Sequence, residues 1–129
     1  MLDGSVVIAF LATTDSVRTR AFFQEVLGLD FISEDDFAIV YDARGTELRI
    51  QKVERFEPHP HTALGWQVAS IDRAVREIAE RGGVFERYTF LEQDASGIWM
   101  SPSGARVAWL KDPDGNLLSL TEKPLDPSP

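Results

Sequence analysis

One order of elements is written twice along this chain, and that repeat is its strongest constraint. Residues 5–13, "SVVIAFLAT", are rich in Val and Ile and are bounded by Gly4 and Asp15, which predicts a strand. "TTDSVRTRAFFQEVLG" follows as a helix. Asp15 is placed to cap it, Gly28 to stop it, and Val17, Ala21, Phe22, Val26 and Leu27 form its apolar stripe. Three short strands come next, in "LDFISED", "FAIVYDA" and "TELRIQKV", separated by turn residues at Asp35-Asp36 and Ala43-Arg44-Gly45. After the polar, proline-containing stretch "ERFEPHPHT" the same grammar restarts. "ALGWQVAS" is a strand and "IDRAVREIAERGG" a helix with Ile71, Val75 and Ile78 on one face. "VFERYTFLEQD", "GIWMSP", "ARVAWLKD" and "NLLSLTE" supply the closing strands, with 90–94 as a loop. A repeat of this kind decides the fold reading before any single residue does. It predicts an α+β chain of two βαβββ modules packed as a pseudo-dimer. Module one covers about 4–53, a linker 54–62, module two about 63–122 and a surface tail 123–129.

At 129 residues the chain is expected to be a single domain, 1–129, long enough to bury a core without staples. It contains no cysteine, which removes disulfides, thiolate metal sites and cysteine nucleophiles. The net charge of −8 disfavours nucleic acid, whose phosphates it would repel. No apolar run reaches the length of a membrane span. The N-terminal run Val6–Ala12 is short and preceded by Asp3 rather than positive charge, which argues against a secretory signal. These features lead to the expectation of a cytoplasmic protein with no membrane or nucleic-acid partner.

Three segments resemble the vicinal oxygen chelate superfamily, which includes glyoxalase, extradiol dioxygenase and bleomycin resistance proteins. They are "DSVRTRAFFQEVLGLDF", "VASIDRAVREIAERGG" and "VAWLKDPDGNLLSL", and they span nearly the whole chain in the family's order. The resemblance implies that each module curls into a partial β-barrel and that the pair surrounds a central cleft. It also implies a homodimer. Metal-using relatives place four ligands in the cleft, one on the first and one on the last strand of each module. Those positions correspond here to Ile8, Arg49, Ala63 and Ser119. Ile8 and Ala63 carry no donor atom, Arg49 is a permanent cation and Ser119 is a weak neutral ligand. No cofactor is therefore expected, and a divalent metal is disfavoured. A register shifted by two residues would bring His61 to the same face, so a metal-dependent lyase, isomerase or dioxygenase remains an alternative. So does a structural dimer with a vestigial cleft, and whether the chain is an enzyme stays open.

Strand alternation puts Phe10 on the face of Ile8, Glu47 and Gln51 on that of Arg49, Gly65 and Gln67 on that of Ala63, and Leu117 on that of Ser119. With Trp99 added, the expected ligand-binding set is Phe10, Arg49, Gln51, Gln67, Trp99 and Ser119, an apolar surface with a few polar groups. The expected partner is a small organic molecule. Arg49 would pair either with a ligand carboxylate or with an internal acid such as Glu47. Trp66 is expected in the core, whereas Trp99 and Trp109 could line the cleft or a dimer interface. Glu92 is a candidate general base but reads more simply as a solvated acid. In "KDPDGN", Asp112 and Asp114 read as corner residues rather than catalytic acids, with Pro113 presetting φ and Gly115 taking a positive φ.

Overall fold

The computed structural model describes residues 1–125. The repeat is realised as two open four-stranded sheets of the same topology. In the first, β1 (Ile8–Thr13), β2 (Asp30–Glu34), β3 (Ala38–Ala43) and β4 (Thr46–Lys52) lie in the order β1-β4-β3-β2. In the second, β5 (Thr62–Gln67), β6 (Trp99–Met100), β7 (Arg106–Lys111) and β8 (Leu117–Glu122) lie in the order β5-β8-β7-β6. The first strand of each module runs parallel to the last, and the remaining pairs are antiparallel. Neither sheet closes on itself, so this is a two-module α+β fold with no closed barrel.

By its contacts the chain divides into two compact units. One comprises Met1–Pro58 with Asp112–Asn116, and the other His59–Lys111 with the chain from Leu117 on. In the first unit, one face of the sheet is buried through Leu11, Ile39, Tyr41, Leu48 and Ile50. α1 (Ser16–Ala21) and the π-helical turn Phe22–Val26 precede β2. Asp15 caps α1 as expected, its carboxylate accepting the Arg18 amide at 3.1 Å.

The predicted stripe on this helix is corrected in two places. Val17 and Ala21 are exposed, and the residues buried instead are Thr19 and Phe23. Two features bear on the residues buried instead. Beyond Ala21 the backbone bonds widen, with Leu27 N–H donating to the Phe22 carbonyl, so the 3.6-residue period no longer holds. Thr19 is inward because its hydroxyl is needed in a buried polar cluster with Thr13 and Asp114.

The turn between β7 and β8 supplies that cluster. Asp112 is buried, and its Oδ1 accepts the amides of Asp114 and Asn116 at 3.0 and 2.9 Å. Gly115 sits at φ 88°, open to glycine with little penalty. Both aspartates are corner residues, as expected. Asp114 additionally accepts the Thr13 hydroxyl at 2.6 Å, the Thr14 amide and hydroxyl at 2.8 and 2.7 Å, and the Thr19 hydroxyl at 3.2 Å. Asn116 Nδ2 donates to the Ala12 carbonyl. These bonds join residues about a hundred positions apart, so the turn completes the first unit although it is distant in sequence.

In the second unit, α2 (Ile71–Glu80) begins at the Ser70 cap and buries Ile71 and Val75 against Ile98, Ala108 and Leu120. Trp66 packs on this cluster, the core role expected for it. The strand predicted over 84–89, ahead of the loop at 90–94, is corrected: the stretch forms only an isolated bridge, Phe85 with Leu110, and the loop one more, Gln93 with Trp99. The Gln93 side chain replaces the ladder. Its Oε1 accepts the Tyr88 amide, while its Nε2 donates to the carbonyls of Glu86 and Gly97. Of the proline-rich tail, Lys123–Leu125 is exposed and outside any strand, and 126–129 lie outside the described residues. No helix among the described residues is long and apolar enough to cross a membrane.

Candidate functional site

The face of each sheet turned away from its helix carries the candidate residues. On the first sheet, register places Phe10 opposite Arg49 and Arg49 opposite Val40, with Ile8 opposite Glu47 and Ala12 opposite Gln51. Phe10 is 52% exposed and Ile8 46%, so the β1 edge presents uncovered apolar side chains. Arg49 Nη1 donates to Glu47 Oε2 at 3.2 Å. The internal acid named as a possible partner of Arg49 is thus within reach of it. Phe10, Arg49 and Gln51 thus share one face, in neighbouring rows of β1 and β4.

The second sheet is built differently. Gly65 lies opposite Ser119 and Ser119 opposite Trp109, while Gln67 lies opposite Thr121 and Val107 opposite Trp99. The side toward β5 is therefore floored by small residues, and the side toward β6 is walled by large aromatic ones. A methyl group at Gly65 would collide with the Ser119 hydroxyl, which lies directly over this glycine. Trp99 and Trp109 are half-buried, with ring centroids 6.0 Å apart and planes inclined by 35°. Tyr88 meets Trp109 edge-on at 5.6 Å and Phe90 at 5.4 Å, and Phe90 itself is 79% exposed. Burial, with help from the nearby Glu86 charge, pushes the Tyr88 phenol above its ordinary range, so it remains a neutral donor. Gln67, Trp99 and Ser119 share this face. Leu117, expected beside Ser119, is buried.

Several residues fall outside this picture. Glu92 is exposed. His59 and His61 are exposed and lie ahead of β5. Tyr88 and Phe90 belong to the aromatic face, but their segment reads as an ordinary strand in the sequence. The only available signal was their aromatic character, spaced by two.

Comparison with known proteins agrees with this geometry. The sequence profile of the Glyoxalase/Bleomycin resistance protein/Dioxygenase superfamily matches residues 5–120. The chain belongs to that superfamily. Solved structures of the superfamily fold align over nearly the whole chain. The bleomycin resistance determinant encoded on transposon Tn5 is 19% identical, with 94% of this chain and 99% of that one covered, at a TM-score of 0.74. A bleomycin-binding protein complexed with bleomycin is 18% identical, with coverages of 93% and 99% and a TM-score of 0.72. Lactoylglutathione lyase from Agrobacterium tumefaciens is 15% identical, with 92% of each chain covered and a TM-score of 0.71. No curated protein matches the chain. At these identities the likeness to the solved structures is one of fold, and one fold hosts many chemistries.

The four positions that the family resemblance assigns to metal ligands are Ile8, Arg49, Ala63 and Ser119. Ile8 and Ala63 offer no donor atom. Arg49 brings a permanent positive charge already engaged by Glu47. Ser119 offers one neutral hydroxyl, seated over Gly65. This donor set does not fit a divalent cation, which needs several convergent nitrogen, oxygen or sulfur ligands. Among the described residues, no group of three or more His, Asp and Glu side chains comes together elsewhere to replace it.

Proposed function

We propose that this superfamily member binds a small organic molecule without a metal, and that the aromatic face of the second sheet is its principal contact surface. The observation that carries the proposal is the Trp99–Trp109 pair, buttressed by Tyr88 and left half-covered beside the small floor of Gly65 and Ser119. A planar group laid on this floor would meet the indole rings and exclude water from them. Each 100 Å² of apolar surface so covered is worth roughly 2.5 kcal/mol, and a well-placed aromatic contact adds about 0.5–1.5 kcal/mol. Gln67 and the Ser119 hydroxyl supply polar contacts that would fix orientation. Phe10, Arg49 and Gln51 offer a comparable mixed surface on the first sheet. Because Glu47 already compensates Arg49, that surface does not call for an anionic ligand. With a net charge of −8, long-range attraction favours cationic aromatic molecules. We further propose that the protein acts in the cytoplasm as a homodimer.

Bleomycin, a ligand of one protein of the same fold, is a suitable first probe. Titration followed by tryptophan emission should give a saturable change that is unaffected by chelator. Replacing Trp99 or Trp109 with Leu should weaken binding at least tenfold. If binding or turnover instead appears only after loading with a divalent metal, the metal-dependent lyase, isomerase or dioxygenase reading replaces this one. If cationic aromatic probes fail to bind at all, a structural dimer with a vestigial site becomes the better account.

A further inference from the structure

The two histidines are left unused by this function. Within "EPHPHT", His59 and His61 are both exposed, and their rings lie with centroids 5.2 Å apart and planes 18° from parallel. No hydrogen bond among the described residues engages either imidazole. We propose that this pair is a bidentate surface site for a borderline divalent transition metal, with Cu²⁺ held most tightly, and that it is separate from the aromatic face.

Three features support the site. The donors are of the right kind: neutral imidazole nitrogens suit Cu, Ni and Zn, whereas Mg and Ca prefer oxygen. The spacing is right as well. A metal about 2.0–2.1 Å from one nitrogen of each ring places two cis imidazole centroids roughly 4.5–5.2 Å apart. The observed 5.2 Å separation lies at the upper end of that range, and the rings would leave their near-parallel stack by turning about their soft terminal torsions to bring one nitrogen of each onto the metal. Finally, the backbone is held in advance. Pro58 and Pro60 fix their own φ and bar the helical region to Glu57 and His59. On one side Pro58 lies against Gly115, its Cγ 2.9 Å from where a Cβ would stand. On the other, Thr62 enters β5 in register with Leu117. The two prolines reduce the backbone freedom that is lost when the metal binds.

No third His, Asp or Glu joins the pair among the described residues. The bound ion would therefore keep open coordination positions for water, or for a donor from another molecule. Affinity is correspondingly modest, and selectivity follows the order Cu²⁺ above Ni²⁺ above Mg²⁺.

The test uses the full chain without an affinity tag, titrated with Cu²⁺ and followed by visible absorbance and electron paramagnetic resonance. The expected result is one strong equivalent per chain with a two-nitrogen signature. His59→Ala and His61→Ala should each lose at least tenfold in affinity, and Mg²⁺ should not compete. Copper held by the N-terminal amine would persist in the double variant and is subtracted by that comparison. Unchanged Cu²⁺ binding in His59→Ala/His61→Ala, or wild-type affinity in either single variant, would overturn the proposal. The double variant should keep its response to bleomycin, so failure of the metal site and failure of the aromatic site are read separately.

Discussion

Replacing Asp114 with Ala should cost the protein about 2–4 kcal/mol, far more than a turn carboxylate usually contributes. The substitution removes the acceptor for four bonds, two from the buried Thr13 and Thr19 hydroxyls and two from Thr14. A hydrogen bond to a charged group is worth about 1.5–3 kcal/mol when shielded. The two Thr14 bonds are exposed and count for little, while the two buried bonds dominate. The sum is held down because Thr13 and Thr19 have only two hydroxyl protons for three contacts, so their 2.7 Å bond to each other competes with one of the bonds to Asp114 and takes over when the carboxylate is removed. For 129 residues the unfolding entropy is about 270 cal/mol/K, so the loss corresponds to a Tm drop of roughly 7–15 °C. Asp114→Asn, which keeps the shape and one oxygen, should cost about half as much. Urea unfolding of the three proteins at neutral pH measures this directly. A loss below about 0.5 kcal/mol for Asp114→Ala would refute the reasoning, because the cluster would then be a passive consequence of the turn.

The same cluster sets the sign of a pH effect. Burial alone would raise the Asp114 carboxyl, but the bonds from Thr13, Thr14 and Thr19 outweigh it and hold the group below the usual carboxylate range. Its stabilisation is therefore complete above the unfolded-state pKa and is lost as pH falls through the lower folded value. The gap between wild type and Asp114→Asn in urea midpoint should be constant near neutrality and close in acid. Asp112 has the opposite sign, since burial, resisted by bonds from Asn116 and Asp114, pushes it up. Its charged form costs stability above its folded pKa, and acid relieves that cost. Gly65→Ala should destabilise by about 1–3 kcal/mol through collision with the Ser119 hydroxyl, and adding Ser119→Ala should recover much of it, a coupling that denaturant unfolding of the double-mutant cycle measures. Glu47→Gln should change stability by less than about 1 kcal/mol, because the Arg49 pair is partly exposed. Isothermal titration should then show tighter binding of anionic aromatic probes, as Arg49 loses its compensating charge.

The succession of elements in each module and the "KDPDGN" corner were legible because each rests on local signals that act over a few residues. Period-two alternation marked the faces of β4 and β5, and the glycines marked the stops. Thr19 was not legible, because a threonine turned inward for a hydrogen bond looks the same in sequence as one turned out to water. The partner that orients it, Asp114, lies 95 positions away. The 84–89 stretch misled for a related reason. Its apolar and aromatic residues have strand character, yet one side chain, Gln93, takes the bonds a neighbouring strand would have made. Of the candidate site, alternation was enough to group Phe10, Arg49 and Gln51 on one face, and Gln67 with Ser119 on another. Joining Tyr88 and Phe90 to Trp99 and Trp109 required the path of that irregular segment. The contact between Glu47 and Arg49 required the actual distance.

The central claim is ligand binding on an aromatic face without a metal. It is tested most directly by titrating the His59→Ala/His61→Ala protein with bleomycin, with and without a chelator, while following tryptophan emission. The account predicts one saturable transition with the same affinity in both conditions. Binding that vanishes with chelator and returns with a divalent metal would contradict it.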